Sequence, residues 1–128
     1  MMGAVIKKIN PVYSDDRGII TDVLNENIGH VGIITCNLGS TRGNHYHKKS
    51  VQYSYILSGK FEVLIADLKN LDDVEKFYLV AGDLITISPE TVHTFKAVED
   101  SVMIDMISQS REGSGYEDDV VKGIVLKQ

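Results

Sequence analysis

One cysteine, two prolines and no tryptophan are present in 128 residues, and the long apolar runs of membrane proteins are missing as well. A lone Cys36 excludes an internal disulfide, and with no apolar signal segment at the start the chain is expected in the cytoplasm. None of its apolar runs approaches the ~20 residues needed to span a bilayer as a helix. Basic residues do not outnumber acidic ones: 13 Lys and Arg against 18 Asp and Glu leave a formal charge of -5. That balance excludes unaided nucleic-acid binding, which needs an excess of cations to neutralise phosphates. Small anionic ligands remain within reach, because a few local arginines suffice for them. Repeats, low-complexity tracts and any helix of ordinary length with a 3.6-residue apolar period are also absent.

What is there reads as short strands separated by turn residues. With 128 residues, 43% of them hydrophobic, the chain is expected to form one domain, residues 1–128, around one core. Residues 3–8 make a first strand that Asn10-Pro11 breaks. The turn signal Ser14 to Gly18 leads into a β-branched run from Ile19 to Leu24, and Val31 to Leu38 predicts a third strand. Next, Val51 to Leu57 alternates, Ser58-Gly59-Lys60 turns, and Phe61 to Ala66 returns, which predicts a hairpin. Further strands are expected over Val74–Val80, Leu84–Ile87, Thr91–Val98 and Ser101–Ile107. The tail from Gln109 to Lys122 reads as a polar loop, a lid or an edge, before a short strand-like end at Ile124 to Leu126. About eight to ten such strands at even spacing predict a sandwich or a closed barrel.

The chemistry concentrates between Gly39 and Gly59. Five residues separate Gly39 from His45, four separate His47 from Gln52, and six separate Gln52 from Gly59. In a strand, residues two apart share a face, so His45 and His47 present both imidazoles to one side. Downstream, His93 stands eleven residues after Gly82, with Pro89 between them. In its own strand His93 shares a face with Phe95 and Ala97. Gln52 lies on the face opposite Tyr53 and Tyr55, and Tyr46 points away from the histidine face. His30 reads as an ordinary core or surface histidine, and Lys48 and Lys49 as solvated.

These two spaced sets resemble the paired motifs of the cupin superfamily, with Gln52 where the first motif carries glutamate. The resemblance covers about residues 30–107 and implies an all-β, single-domain cupin jelly-roll β-barrel, with N-terminal strands over 3–24 and a C-terminal loop or edge over 109–128. A barrel mouth would gather His45, His47, Gln52 and His93. Three imidazoles and an amide oxygen suit a divalent metal, and nothing in the donor set chooses among Zn, Fe, Mn, Ni and Cu. Without a metal, His45 and His47 are candidates for catalytic proton transfer.

A narrower resemblance adds a substrate. Arg42-Gly-Asn-His45-Tyr-His47-Lys48, with Gln52 five places after His47, is similar to the nucleotide-sugar 3,4-ketoisomerases. Asp16-Arg17-Gly18 resembles a segment shared by those enzymes and the 3,5-epimerases of deoxysugar pathways, whereas Val92 stands where the ketoisomerases place tryptophan. The resemblance implies an isomerase or epimerase of a nucleotide-linked 4-keto sugar, of the kind used in polysaccharide biosynthesis, working without a cofactor. One of His45 and His47 would remove the proton beside the ketone, while Arg17 and Arg42 would hold the diphosphate or polarise the oxyanion. A metal-binding cupin, either a small-molecule sensor or a metal-dependent enzyme such as a dioxygenase, is the alternative. A homodimer is expected in either case, because a small barrel with exposed strand edges gains by covering them.

Overall fold

A computed structural model describes residues 3–127. The chain opens with β1 (Ala4–Lys8), β2 (Tyr13–Asp15) and β3 (Gly18–Ile20), followed by β4 (His30–Cys36), β5 (Thr41–His47) and β6 (Gln52–Ser58). It continues through β7 (Lys60–Asp67), β8 (Glu75–Val80), β9 (Asp83–Ile87), β10 (Thr91–Ala97) and β11 (Ser101–Ile107). A five-residue helix, α1 (Gly115–Asp119), and the short β12 (Val120–Lys122) end the ordered elements. Two five-stranded antiparallel sheets carry the fold, in the orders β1-β9-β6-β11-β4 and β12-β5-β10-β7-β8. This is the cupin jelly roll, built as two facing sheets with no ladder closing one onto the other among the described residues.

Alternation along the strands builds the core between the sheets. Phe61, Val63 and Ile65 of β7 meet Ile56 of β6, Ile85 of β9 and Phe95 of β10, all buried. The Phe61 and Phe95 rings lie 5.7 Å apart at 77°, an edge-to-face contact. A second, smaller cluster of Leu64, Ala66, Val92 and Leu126 covers the outer face of the sheet that holds β7 and β10, with Tyr46 packed beside it.

Four sequence expectations change here. The segments on either side of Gly59 do not pair: β6 bonds to β9 and β11, while β7 bonds to β8 and β10. The turn at Gly59 instead hands the chain from one sheet to the other, because both strands bury their apolar faces in the shared core. Gly59 has φ +89, and a Cβ there would collide with Ser101 Oγ, so only glycine fits. The run Ile19 to Leu24 is a strand only as far as Ile20, since the chain from Asp22 to Glu26 crosses over Tyr53, Leu84 and Thr86 instead of finding a ladder partner. In the tail the strand falls at Val120–Lys122, where β5 supplies a free edge. Ile124 to Leu126 is irregular chain, in which Leu126 belongs to the second cluster and Ile124 packs against it. Among the described residues no helix is long and apolar enough to cross a membrane.

Candidate active site

The first-motif histidines sit on β5 and His93 on its neighbour β10, whose ladder places His93 directly opposite His45. Gln52 comes from β6 in the facing sheet, so the group spans the interior. One ring nitrogen from each of His45, His47 and His93 lies within 4.8 Å of the other two. His45 and His93 approach edge to face at 4.7 Å between centroids, and His47 stacks on His93 at 5.8 Å. The alternation that puts Gln52 inside, opposite Tyr53 and Tyr55, holds in the structure.

A β-bulge brings Arg42 to the same face. Strict alternation would point Arg42 away from His45, three residues on. The ladder pairs Thr94 with Gly43 but His93 with His45, leaving Asn44 as an extra residue. Gly43 at φ +98 and Asn44 at φ +55 turn the strand, and Arg42 joins His45 in lining the cavity. A Cβ on Gly43 would sit 2.6 Å from the His93 carbonyl oxygen, so this Gly is required by approach as well as by φ.

Polar contacts divide the three histidines by role. His47, 4% exposed, donates from Nδ1 to Asp119 Oδ2 at 2.9 Å, and its Nε2 lies 3.2 Å from Gln52 Oε1. Asp119 is anchored by the backbone N–H groups of Lys49 at 2.8 Å and Ser50 at 3.2 Å. Burial pushes its carboxyl up, but the hydrogen bonds from Ser50, Lys49 and His47 outweigh that and hold it below the usual carboxylate range. Gln52 passes the network on, donating Nε2–H to Ser54 Oγ at 3.0 Å, and Ser54 donates to Asp105 Oδ1 at 2.6 Å. His45 receives no such bond from the described residues. Burial, then His47 and Lys122 nearby, push His45 down to about 4, so its ring is neutral at ordinary pH.

His93 is 1% exposed, donates Nδ1–H to the Thr91 carbonyl at 3.0 Å, and has no hydrogen-bond partner for Nε2 among the described residues. Burial, then the neighbouring histidines, push it down to about 3. Its unfolded-state pKa is near 6.5, so below that pH the unfolded chain takes up a proton that the folded chain refuses. The associated stability is intact above about pH 6.5 and is lost progressively toward about pH 3. Urea unfolding is therefore expected to show about 2 kcal/mol less stability at pH 5 than at pH 7.5 from this group. His45, pushed down to about 4, adds a similar loss over the same interval, so His93→Asn should shrink the dependence without abolishing it, and equal wild-type stability at both pH values would refute it.

The cavity around these groups has a volume of about 650 Å³. Its remaining wall comes from the tail: Arg111, Tyr116 and Lys122 join Arg42 and Asp105 in lining it. The Arg111 guanidinium stacks 4.0 Å from the centroid of the Tyr116 ring, with Lys122 Nζ at 5.5 Å. Arg17 is not brought to this cavity. It sits on the β2–β3 turn with its side chain 81% exposed and paired to Asp15 at 2.6 Å. Asp119, Asp105, Arg111, Tyr116 and Lys122 escaped sequence reasoning, since none stands at a motif spacing and Asp119 closes an acidic run that reads as solvated. His30 Nε2 lies 3.4 Å from Arg111 Nη1.

A family profile described as the polysaccharide biosynthesis C-terminal domain matches residues 13–113. The chain belongs to that family. As a polysaccharide biosynthesis C-terminal domain it shares its fold with solved sugar-nucleotide enzymes. One is the sugar 3,4-ketoisomerase QdtA from Thermoanaerobacterium thermosaccharolyticum in complex with TDP, at TM-score 0.78 and 20% identity over 96% of this chain and 90% of that one. Another is a 3,4-ketoisomerase from Helicobacter canadensis, at TM-score 0.79 and 17% identity, covering 96% and 92%. The dTDP-4-dehydrorhamnose 3,5-epimerase from Sulfolobus tokodaii aligns at TM-score 0.74 and 21% identity, covering 94% and 76%. No curated protein sequence matches this polysaccharide biosynthesis C-terminal domain.

Proposed function

We propose that the protein is an isomerase or epimerase of a nucleotide-linked 4-keto sugar. The observation that carries this reading is the Asp119–His47 pair beside an unbonded, neutral His45, in a cavity rimmed by Arg42, Arg111 and Lys122. Carbon beside a ketone gives up its hydrogen as a proton when a base is positioned against it and the developing oxyanion is stabilised. His47 is the base, for the Asp119 carboxylate holds its Nδ1–H and stabilises the imidazolium that forms. His45 is neutral and hydrogen-bonds the ketone oxygen. The three cations suit a diphosphate, and about 650 Å³ is within the range of small-ligand sites. Family membership and the TDP complex of a similar fold support the same substrate class.

Two measurements test this. Thymidine or uridine diphosphate is expected to raise the melting temperature, and Arg42→Ala to reduce that rise. In deuterated water the protein should place deuterium at the carbon next to the ketone of a 4-keto nucleotide sugar. A folded protein that incorporates none, with either nucleotide, would defeat the proposal.

A second reading rests on the unpartnered Nε2 of His93. His93 and His47 each have Nδ1 held by an oxygen, which is how proteins orient imidazoles toward a metal. His45, His47, His93 and Gln52 would hold Zn, Fe, Mn, Ni or Cu, which when bound would polarise the ketone as a Lewis acid. Metal retained at one equivalent by protein purified without added metal would favour this arrangement.

We also propose that the protein is a cytoplasmic homodimer. Val12, Tyr13, Ile19 and Ile20 are 52–63% exposed on the isolated β2–β3 hairpin, and β4 is an open edge with Ile33 at 74%. Arg17 rides on that hairpin, so its part in substrate binding depends on the dimer. A monomeric mass by light scattering at micromolar concentration would dismiss both.

A further inference from the structure

We infer that Asp105 is a second acid/base residue of the site, the one that moves protons between the sugar oxygens while His47 works on carbon. The inference rests on the ketoisomerase reading above and deepens it. Moving a ketone from C4 to C3 requires two proton transfers, one from C3 to C4 and one from the O3 hydroxyl to O4. His47 supplies only the first. Neutral His45 can donate a hydrogen bond to oxygen, but giving up its N–H proton would leave an imidazolate, which costs far too much at neutral pH.

Asp105 has the placement and chemistry that the oxygens need. It lies on β11 in the sheet facing the histidines, lines the same cavity as His45, His47 and Gln52, and is partly buried. One carboxyl oxygen is occupied by Ser54 Oγ–H at 2.6 Å, and Ser54 is itself held by Gln52 at 3.0 Å, so the carboxyl is fixed in orientation. No hydrogen bond from the described residues reaches its other oxygen. Burial raises its pKa above the usual carboxylate range, against the opposing pull of Ser54 and the nearby His47 and Arg111, which favours the protonated acid. An uncharged carboxyl also spares an anionic substrate the repulsion of a carboxylate within the cavity.

The steps balance. His47 takes the C3 hydrogen as a proton, the C–H pair becomes the C3–C4 double bond, and the carbonyl pair moves to O4, which takes the Asp105 proton to give an enediol. The Asp105 carboxylate then removes the O3 proton, the O–H pair becomes the C3 carbonyl, and C4 takes the proton back from His47. Both residues end as they began, with no oxidant or other reactant consumed.

The test follows the two transfers separately, with thymidine diphosphate 4-keto-6-deoxyglucose in deuterated water. Deuterium at C3 of recovered substrate reports the carbon step, and 3-keto product reports the whole reaction. Asp105→Asn is expected to keep deuterium incorporation within about tenfold of wild type while product falls by ~100-fold or more, the usual worth of a general acid/base. Asp105→Glu should restore product at least tenfold over Asp105→Asn. Equal loss of both readouts in Asp105→Asn would mean that the residue only supports the His47 network, and unchanged product would mean that it does nothing; either overturns the assignment. So would wild-type exchange without any 3-keto product, which leaves an epimerase and the His47 reading in place. No exchange by the wild type overturns the function itself. If Asp105→Asn does not fold, Asp105→Glu decides alone: a product-to-exchange ratio below wild type supports the role, and a ratio equal to wild type removes it.

Discussion

Replacing His47 with asparagine is expected to lower turnover of a 4-keto nucleotide sugar by ~100 to 10,000-fold, the range that a general base contributes. Asparagine keeps an amide near Asp119 and Gln52 but cannot take up a proton. The fold should survive, because the core of the sandwich is built by Phe61, Phe95 and their neighbours. Deuterium incorporation should fall by the same factor as product, since the lost step is the first one, and nucleotide binding should change little because Arg42, Arg111 and Lys122 stay in place. Asp119→Asn is the companion variant. It removes the charge that stabilises imidazolium while leaving the Lys49 and Ser50 amides an acceptor, so a smaller loss in the same direction is expected. Wild-type turnover in His47→Asn, with a normal melting curve, would remove His47 as the base.

The second large effect is on stability. Gly43→Ala should cost ~2–3 kcal/mol, because a side chain in left-handed backbone is strained by 1–3 kcal/mol and this one would also press on a main-chain carbonyl. The collision partner is the His93 oxygen at 2.6 Å, which belongs to the ladder and cannot swing aside. Gly39 provides the control. It has φ +86 with nothing within 4 Å of an added Cβ, so Gly39→Ala should pay the backbone cost alone, about 1 kcal/mol. The difference between the two variants in urea unfolding measures the bulge. Gly43→Ala should in addition weaken the thermal shift produced by thymidine diphosphate, because the bulge is what turns Arg42 into the cavity. Equal cost at both glycines would show that the collision is relieved, and with it the argument for the bulge.

The amino-acid sequence by itself determined which side chains could meet on one face. Residues two apart in a strand share a side, so the sequence alone aligned His45 with His47, His93 with Phe95, and Gln52 against Tyr53 and Tyr55, and the ladders confirm each alignment. Glycine spacing likewise marked the turns at Gly59 and Gly82, where φ is positive. These are local properties, set by the pleat of the strand and by the missing Cβ, and they are legible without knowing any partner. What only the tertiary structure decided depends on contacts between distant segments. Asp119 lies 72 residues from His47 and reaches it because β5 has a free edge for β12. Asp105 meets Ser54 because β11 pairs with β6 in register. Arg42 faces His45 because one extra residue slips into a ladder with β10, and a slip of one residue reverses every side chain beyond it. The turn at Gly59 looked like a hairpin because alternation does not say which sheet receives the next strand. That choice is made by the shared core, where Phe61 and Ile56 gain more by facing each other across the sandwich than by lying side by side.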